Sequence, residues 1–302
     1  MTIARRQVLV AAASASAMPA GLRAQTEERI EVAGCSIHLQ LEPDFPTTAE
    51  AAIRRWVVAA AQAVAGYLGR FPVPQFELLV QNVAGAGIKG GTTYAEPKVY
   101  IRVRLGRGST EAHFANDWIL VHEMVHLAVP RVPRSQQWLH EGVATYVEGV
   151  ARVRAGRNTA PRLWAELLRG LPQGQPQAGD RGLDHTPTWG RTYWGGALYC
   201  LLADVQMLRE SGTRAGLREA LQGVLEAGGS YAVAWPVERI LETADRAVGQ
   251  HTLMGLYGTM KDSSQLIDLP ALWRQLGVSV VEGAAAELDD RAPLAAVRRA
   301  IA

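Results

Sequence analysis

The sequence predicts an α+β protein with its strands in the first third of the chain and mostly helices after it. Three observations lead there. Apolar residues alternate at Ile30, Val32, Ile37, Leu39 and Leu41, and strand-like runs recur at 75–81 and 98–103. A long helical segment separates the first strands from the later ones, and beyond residue 136 the pattern is mostly helical. At 302 residues the chain is long enough to bury a sizeable core.

The first 24 residues have the make-up of an export signal. Arg5 and Arg6 precede a short apolar stretch and a run of small residues, with plausible cleavage after Ala20 or Ala24. The segment resembles a twin-arginine signal, although Ala4 and Gln7-Val8-Leu9-Val10 depart from the usual flanks. A Sec signal, or an uncleaved anchor, is the alternative. The expected location is periplasmic or secreted, and no later segment has the length of a transmembrane helix.

Residues 29–41 read as one or two strands, and Thr47-x-x-Glu50 reads as a capping box that opens a helix to about Leu68. Gln75 to Gln81 is the next strand. The glycine-rich stretch Gly85 to Gly91 leads into a strand at Lys98 to Val103, either as a flexible hairpin or as a loop that touches substrate. Residues 114–129 contain no Gly or Pro and are apolar nearly all round, with Pro130 and Pro133 as stops, so a largely buried helix is expected there. A second helix starts at Ser135 or Gln136 and runs to Glu148. Leu163 to Gly190 holds a polar Pro/Gly loop that either roofs a cleft or joins helices. Further helices are expected at about 192–210, 214–227, 236–247 and 292–301.

Charge and cysteine content narrow the function classes. The net charge is +2, and without Arg5, Arg6 and Arg23 the remainder has 28 basic against 29 acidic residues. No basic patch interleaved with aromatics occurs, and Arg102, Arg104 and Arg107 read as the outward face of a strand, so no nucleic-acid partner is expected. Cys35 and Cys200 lie in separate elements, and their spacing gives no reason to pair them. Nothing in the sequence signals an oligomeric state.

The chemistry concentrates in His122-Glu123-Met124-Val125-His126. On a helix, i and i+4 share one face, so the two imidazoles can converge on one metal with Glu123 beside it. The alternative is a pair of core histidines bonded to backbone. Glu141, fifteen positions after His126, supplies a third ligand after a turn and a return helix, and two histidines with one carboxylate leave zinc a fourth position for water. His140 beside it points about 100° away and reads as supporting or structural. Thr145, one turn on, either bonds a ligand histidine or its own backbone.

Trp138-Leu139-His140-Glu141-Gly142-Val143-Ala144-Thr145-Tyr146 resembles the second motif of the gluzincin metallopeptidases, Trp-Leu-x-Glu-Gly-x-Ala-x-Tyr, at every fixed position. Tyr193-Trp194-Gly195-Gly196-Ala197 resembles the Tyr-x-x-Gly-Ala helix of aminopeptidase N-like and glycyl aminopeptidase-like members. The resemblance spans about residues 75–210. It implies a thermolysin-like zincin, with an N-terminal mixed-sheet lobe at about 25–130 and an all-helical lobe at about 131–302. It further implies Zn2+ on His122, His126 and Glu141, Glu123 as general base, and Tyr193 as donor to the developing oxyanion. His185 is a rival donor, and Tyr193, Trp194 and Tyr199 can alternatively be aromatic core. In these families the strand before the metal helix is the sheet edge on which a peptide lies. Their Gly-x-Met-Glu-Asn motif, whose glutamate holds a free amino terminus, has no counterpart between Gly85 and Arg104, although Glu96 could take its place.

The implied activity is zinc-dependent hydrolysis of peptide bonds by metal-activated water, in an exported protein whose partner is a peptide or protein substrate. The alternatives are a non-catalytic zinc-binding peptide platform and a zinc hydrolase of a non-peptide amide, because the water-activating apparatus is the same.

Overall fold

The computed structural model describes residues 26–43, 45–280 and 285–302. The export signal expected over residues 1–24 lies outside the described residues. The first half holds β1 (Thr26–Val32), β2 (Cys35–Leu41), α1 (Thr47–Leu68), β3 (Gln75–Val83), β4 (Ile88–Tyr94), β5 (Tyr100–Gly106), α2 (Glu111–Ala115) and α3 (Ile119–His126). The second half holds α4 (Gln137–Arg154), α5 (Ala160–Gly170), α6 (Gly196–Glu210), α7 (Leu217–Glu226), α8 (Val237–Val248), α9 (Thr252–Met260), α10 (Leu269–Leu276), β6 (Val278–Val280), β7 (Ala286–Leu288) and α11 (Ala295–Ile301).

The alternation at 30–41 becomes a hairpin of β1 and β2, whose turn places Ala33 and Gly34 at φ 50° and 77°. Ile30, Val32, Ile37, Leu39 and Leu41 face inward, all buried. The sheet order is β1-β2-β3-β5-β4, with β2, β3 and β5 parallel and the two outer pairs antiparallel, so the sheet is mixed. Along β5, Ile101, Val103 and Leu105 are buried and the Arg102 and Arg104 side chains leave by the other face, as expected of a strand with one solvated side.

Several expectations need correction. The edge beside α3 is β4, formed by the glycine-rich stretch itself, and β5 is interior, paired on both sides. Glycine has weak strand propensity, so periodicity alone does not reveal β4. Helix α1 starts at Thr47 with Pro46, not Thr47, in the capping position. The helix expected over 114–129 is two pieces, α2 and α3. Asp117 divides them because its carboxylate accepts from the N–H groups of Ile119 (2.9 Å) and Leu120 (3.1 Å), which starts a new helix. The first part of 163–190 is helical, within α5, where Pro161 occupies an N-terminal helix position that needs no N–H. The second half is not all-helical, because β6 and β7 pair antiparallel near its end. The residues flanking this strand pair are held by Arg298, which is 2% exposed and donates to the carbonyls of Leu276, Gly277 and Asp289 at 2.8, 2.9 and 3.0 Å.

Cys35 and Cys200 are both buried and unpaired. Among the described residues, no helix is long and apolar enough to cross a membrane.

Candidate metal centre and active site

Residues Leu120 to His126 of α3 are all buried, so its polar groups must find partners inside the protein. The Nε2 atoms of the two histidines find theirs on α4. Nε2 of His122 lies 3.2 Å, and Nε2 of His126 3.5 Å, from Oε2 of Glu141. One ligand atom from each residue lies within 4.8 Å of the others, the one such cluster among the described residues. Ligands about 2 Å from a tetrahedral zinc are spaced by roughly 3.3 Å, so this donor set fits a zinc ion. Burial opposes ionisation of Glu141, but its hydrogen bonds to the two histidines outweigh burial and hold its carboxyl well below the usual carboxylate range.

Two backbone approaches build the cleft. Gly142 on α4 and Gly196 on α6 meet so closely that a Cβ on Gly142 would lie 2.3 Å from the Gly196 carbonyl carbon. Gly91 on β4 lies against the Glu123 side chain of α3, where a Cβ would come within 2.5 Å of its Cγ. Thr93 completes this contact, its hydroxyl lying 2.7 Å from Oε2 of Glu123. The edge strand therefore fixes the glutamate carboxylate.

Tyr193 lies in a π-helical turn, Arg191–Gly195, that leads into α6. Such turns displace a side chain from the regular helical path and are frequent at functional sites. Arg191 anchors the turn through an ion pair with Asp180 at 2.8 Å and a bond to the Gly174 carbonyl at 2.6 Å. The Tyr193 ring lies 6.3 Å from that of His122. Burial, followed by the charges of Glu141 and Glu123, pushes its phenol up to about 12, so it remains a proton donor at neutral pH. His185 is elsewhere, half-exposed and 2.7 Å from Asp262. Glu96 is also outside the cleft, exposed and paired with Arg131 at 3.2 Å.

His140 reaches the candidate ligands through His126. Its Nε2 lies 2.9 Å from the Pro130 carbonyl oxygen and its Nδ1 3.3 Å from Nδ1 of His126. Burial drives its pKa down to about 3, which keeps the ring neutral. Thr145 makes no bond to a ligand histidine. It lines a neighbouring aromatic cavity instead.

Sequence reasoning missed Tyr231, Thr92, Thr93 and Gln137, all of which line the metal cleft. Tyr231 donates to the Thr93 carbonyl at 3.2 Å. Its loop is pinned to the end of α3 by backbone bonds from Tyr231 to Leu127 (3.1 Å) and from Arg131 to Val233 (2.9 Å). No local motif marks that loop, because its place in the cleft is set by these tertiary contacts.

No protein-family model matches this chain, and no curated protein does. Solved structures do. An aminopeptidase N family protein from Idiomarina loihiensis matches with a TM-score of 0.59 at 13% identity, over 84% of this chain and 49% of that one. An M1 zinc metallopeptidase from Deinococcus radiodurans matches with a TM-score of 0.52 at 14% identity, over 82% and 53%. A mutant M1 zinc metallopeptidase from Deinococcus radiodurans bound to a Tyr-Ser-Ala substrate gives 0.52 at 12% identity, over 82% and 53%. The chain thus spans about half the length of the structures it matches. It shares its fold with the M1 zinc metallopeptidases, and the gluzincin resemblance carried by its motifs holds at the level of that fold.

Proposed function

We propose that this protein is a zinc-dependent peptidase of thermolysin-like lobe arrangement, with His122, His126 and Glu141 as metal ligands, Glu123 as general base and Tyr193 as oxyanion donor. The observation that carries the reading is the convergence of the three ligand side chains within 4.8 Å, with Glu123 and Tyr193 lining the same cleft. The solved structures of similar fold from Deinococcus radiodurans are described as zinc metallopeptidases, which supports zinc as the ion. A zinc ion held there supplies a Lewis acid that activates water near neutral pH.

The protein's own groups do the rest. Glu123 takes the proton from the attacking water and returns it to the leaving amine, and the Thr93 hydroxyl holds its carboxylate for both steps. Tyr193, protonated, donates to the carbonyl oxygen as negative charge builds on it. The peptide lies along the open side of β4 as an added strand. Among the described residues lining the metal cleft, the carboxylates are Glu123 and Glu141, both committed to the roles above, so no acid there is free to hold an amino terminus. Cleavage of internal bonds fits this lining best. The non-catalytic platform reading is disfavoured by the intact Glu123 and Tyr193. Export is proposed on the sequence of residues 1–24 alone.

The test is a peptide library with free and blocked amino termini, incubated with the protein with and without a zinc chelator. Chelator-sensitive cleavage of blocked peptides is expected. Cleavage of free-amine peptides alone would overturn internal cutting, and cleavage of none would overturn the peptidase reading.

A further inference from the structure

Beside the metal cleft lies a second cavity of about 390 Å³, joined to it through Tyr193, which lines both. Its volume falls inside the range of roughly 300–1,000 Å³ typical of ligand pockets. Trp118, Trp189 and Trp194 form its walls. Trp118 and Trp189 are 49% and 61% exposed, two of the three large exposed apolar side chains among the described residues. Apolar rings left open together beside a reactive centre are surface waiting for a partner.

Their contacts tie them to the chemistry. The Trp118 ring stands edge-on to the His122 ring at 5.7 Å, and the Trp189 ring stacks on Tyr193 at 5.8 Å. A group seated between them is therefore next to both a ligand histidine and the candidate oxyanion donor. The remaining wall sets two acids beside two arginines. Glu148 lies 3.4 Å from Arg152, and Glu166 faces Arg152 and Arg169. Burial pushes Glu148 up to about 8, so it holds its proton at neutral pH and the two arginines are not fully offset. A lysine or arginine side chain would meet guanidinium groups there, whereas an aromatic or branched aliphatic one would meet indole faces.

We infer that this cavity is the specificity pocket, and that it receives a large uncharged side chain, aromatic or branched aliphatic, from the substrate residue flanking the bond to be cut. This rests on the peptidase reading for what happens to the peptide, but not for its binding.

The experiment uses the full chain and blocked peptides acetyl-Ala-X-Ala-amide, with X as Phe, Leu, Ala, Lys or Asp. Binding is followed by intrinsic tryptophan fluorescence and cleavage by mass spectrometry. Phe and Leu peptides are expected to bind about tenfold or more tighter than the Ala peptide, and the Lys peptide no tighter than Ala. Trp189→Ala is expected to bring Phe and Ala to near parity, whereas a merely structural role for Trp189 would weaken all five alike. Arg169→Glu, on an exposed position, is expected to improve Lys binding severalfold. Equal binding of all five peptides by the wild-type protein, or none, overturns the pocket. Graded binding without cleavage leaves the pocket standing and defeats the hydrolase reading. Cleavage with no preference for X does the reverse.

Discussion

His140 Nδ1 lies 3.3 Å from His126 Nδ1, two imidazole nitrogens facing one another in a fully buried setting. One must donate and the other accept. His140 Nε2 is committed as donor to the Pro130 carbonyl, and the ring is neutral, so its Nδ1 is the acceptor. His126 must then carry a proton on Nδ1, so that loss of the Nε2 proton shared with Glu141 leaves the Nε2 lone pair for a metal. A chain of two histidines and one carbonyl thereby selects the tautomer that the proposed metal ligand needs.

His140→Ala removes that selection and is expected to weaken zinc binding about 10- to 100-fold. Competition against a chromophoric chelator measures it. An unchanged zinc affinity would mean that His126 is oriented by something else.

The opposed Gly142 and Gly196 leave no room for a methyl group, since the added Cβ would sit 2.3 Å from a backbone carbon. Gly142→Ala should force α4 and α6 apart, with a loss of about 1–3 kcal/mol of stability. Because Glu141 and Tyr193 ride on these two segments, peptidase activity is expected to fall further than stability alone accounts for. Thermal denaturation together with kcat checks both, and a variant with unaltered Tm would show that the helices separate at no cost.

Glu148 gives a pH signature. Burial raises its folded-state pKa to about 8 from the ordinary 4.5, so the folded protein binds a proton there that the unfolded chain releases. Its contribution is fully present below about pH 4.5 and is lost as pH rises through about 8. Glu148→Gln should therefore gain stability relative to wild type as the pH is raised across that window, as read from denaturant midpoints. A constant difference between the two proteins at every pH would contradict the assignment.

At the β1–β2 turn, Ala33 adopts φ 50°, a conformation that costs an L-residue with a Cβ about 1–2 kcal/mol. Ala33→Gly, or Ala33→Asn, is expected to raise Tm by a few degrees. A lower Tm would indicate that the alanine methyl is making a contact worth more than the strain.

Much of this was legible in the sequence because it is local. The i, i+4 spacing of His122 and His126, the alternation at 30–41 and the segment from 47 to 68 each carry their periodicity within a few turns. Glu141 was reachable because a return helix follows Pro130 and Pro133 directly. What escaped is long-range. The glycine-rich stretch becomes the edge strand only because β5 pairs with it and Glu123 packs on Gly91. Tyr231 enters the cleft because its loop is bonded to Leu127, over a hundred residues earlier. The break between α2 and α3 depends on one aspartate side chain, which a pattern of apolar residues does not register.

The most direct test of the account compares wild type with Glu123→Ala, measuring zinc per chain by elemental analysis and hydrolysis of the peptides the wild type cleaves. About one zinc per chain is expected in both proteins, with turnover reduced by about 10²- to 10⁴-fold in the variant. Undiminished turnover in Glu123→Ala, or a wild-type protein that binds no zinc, would contradict it.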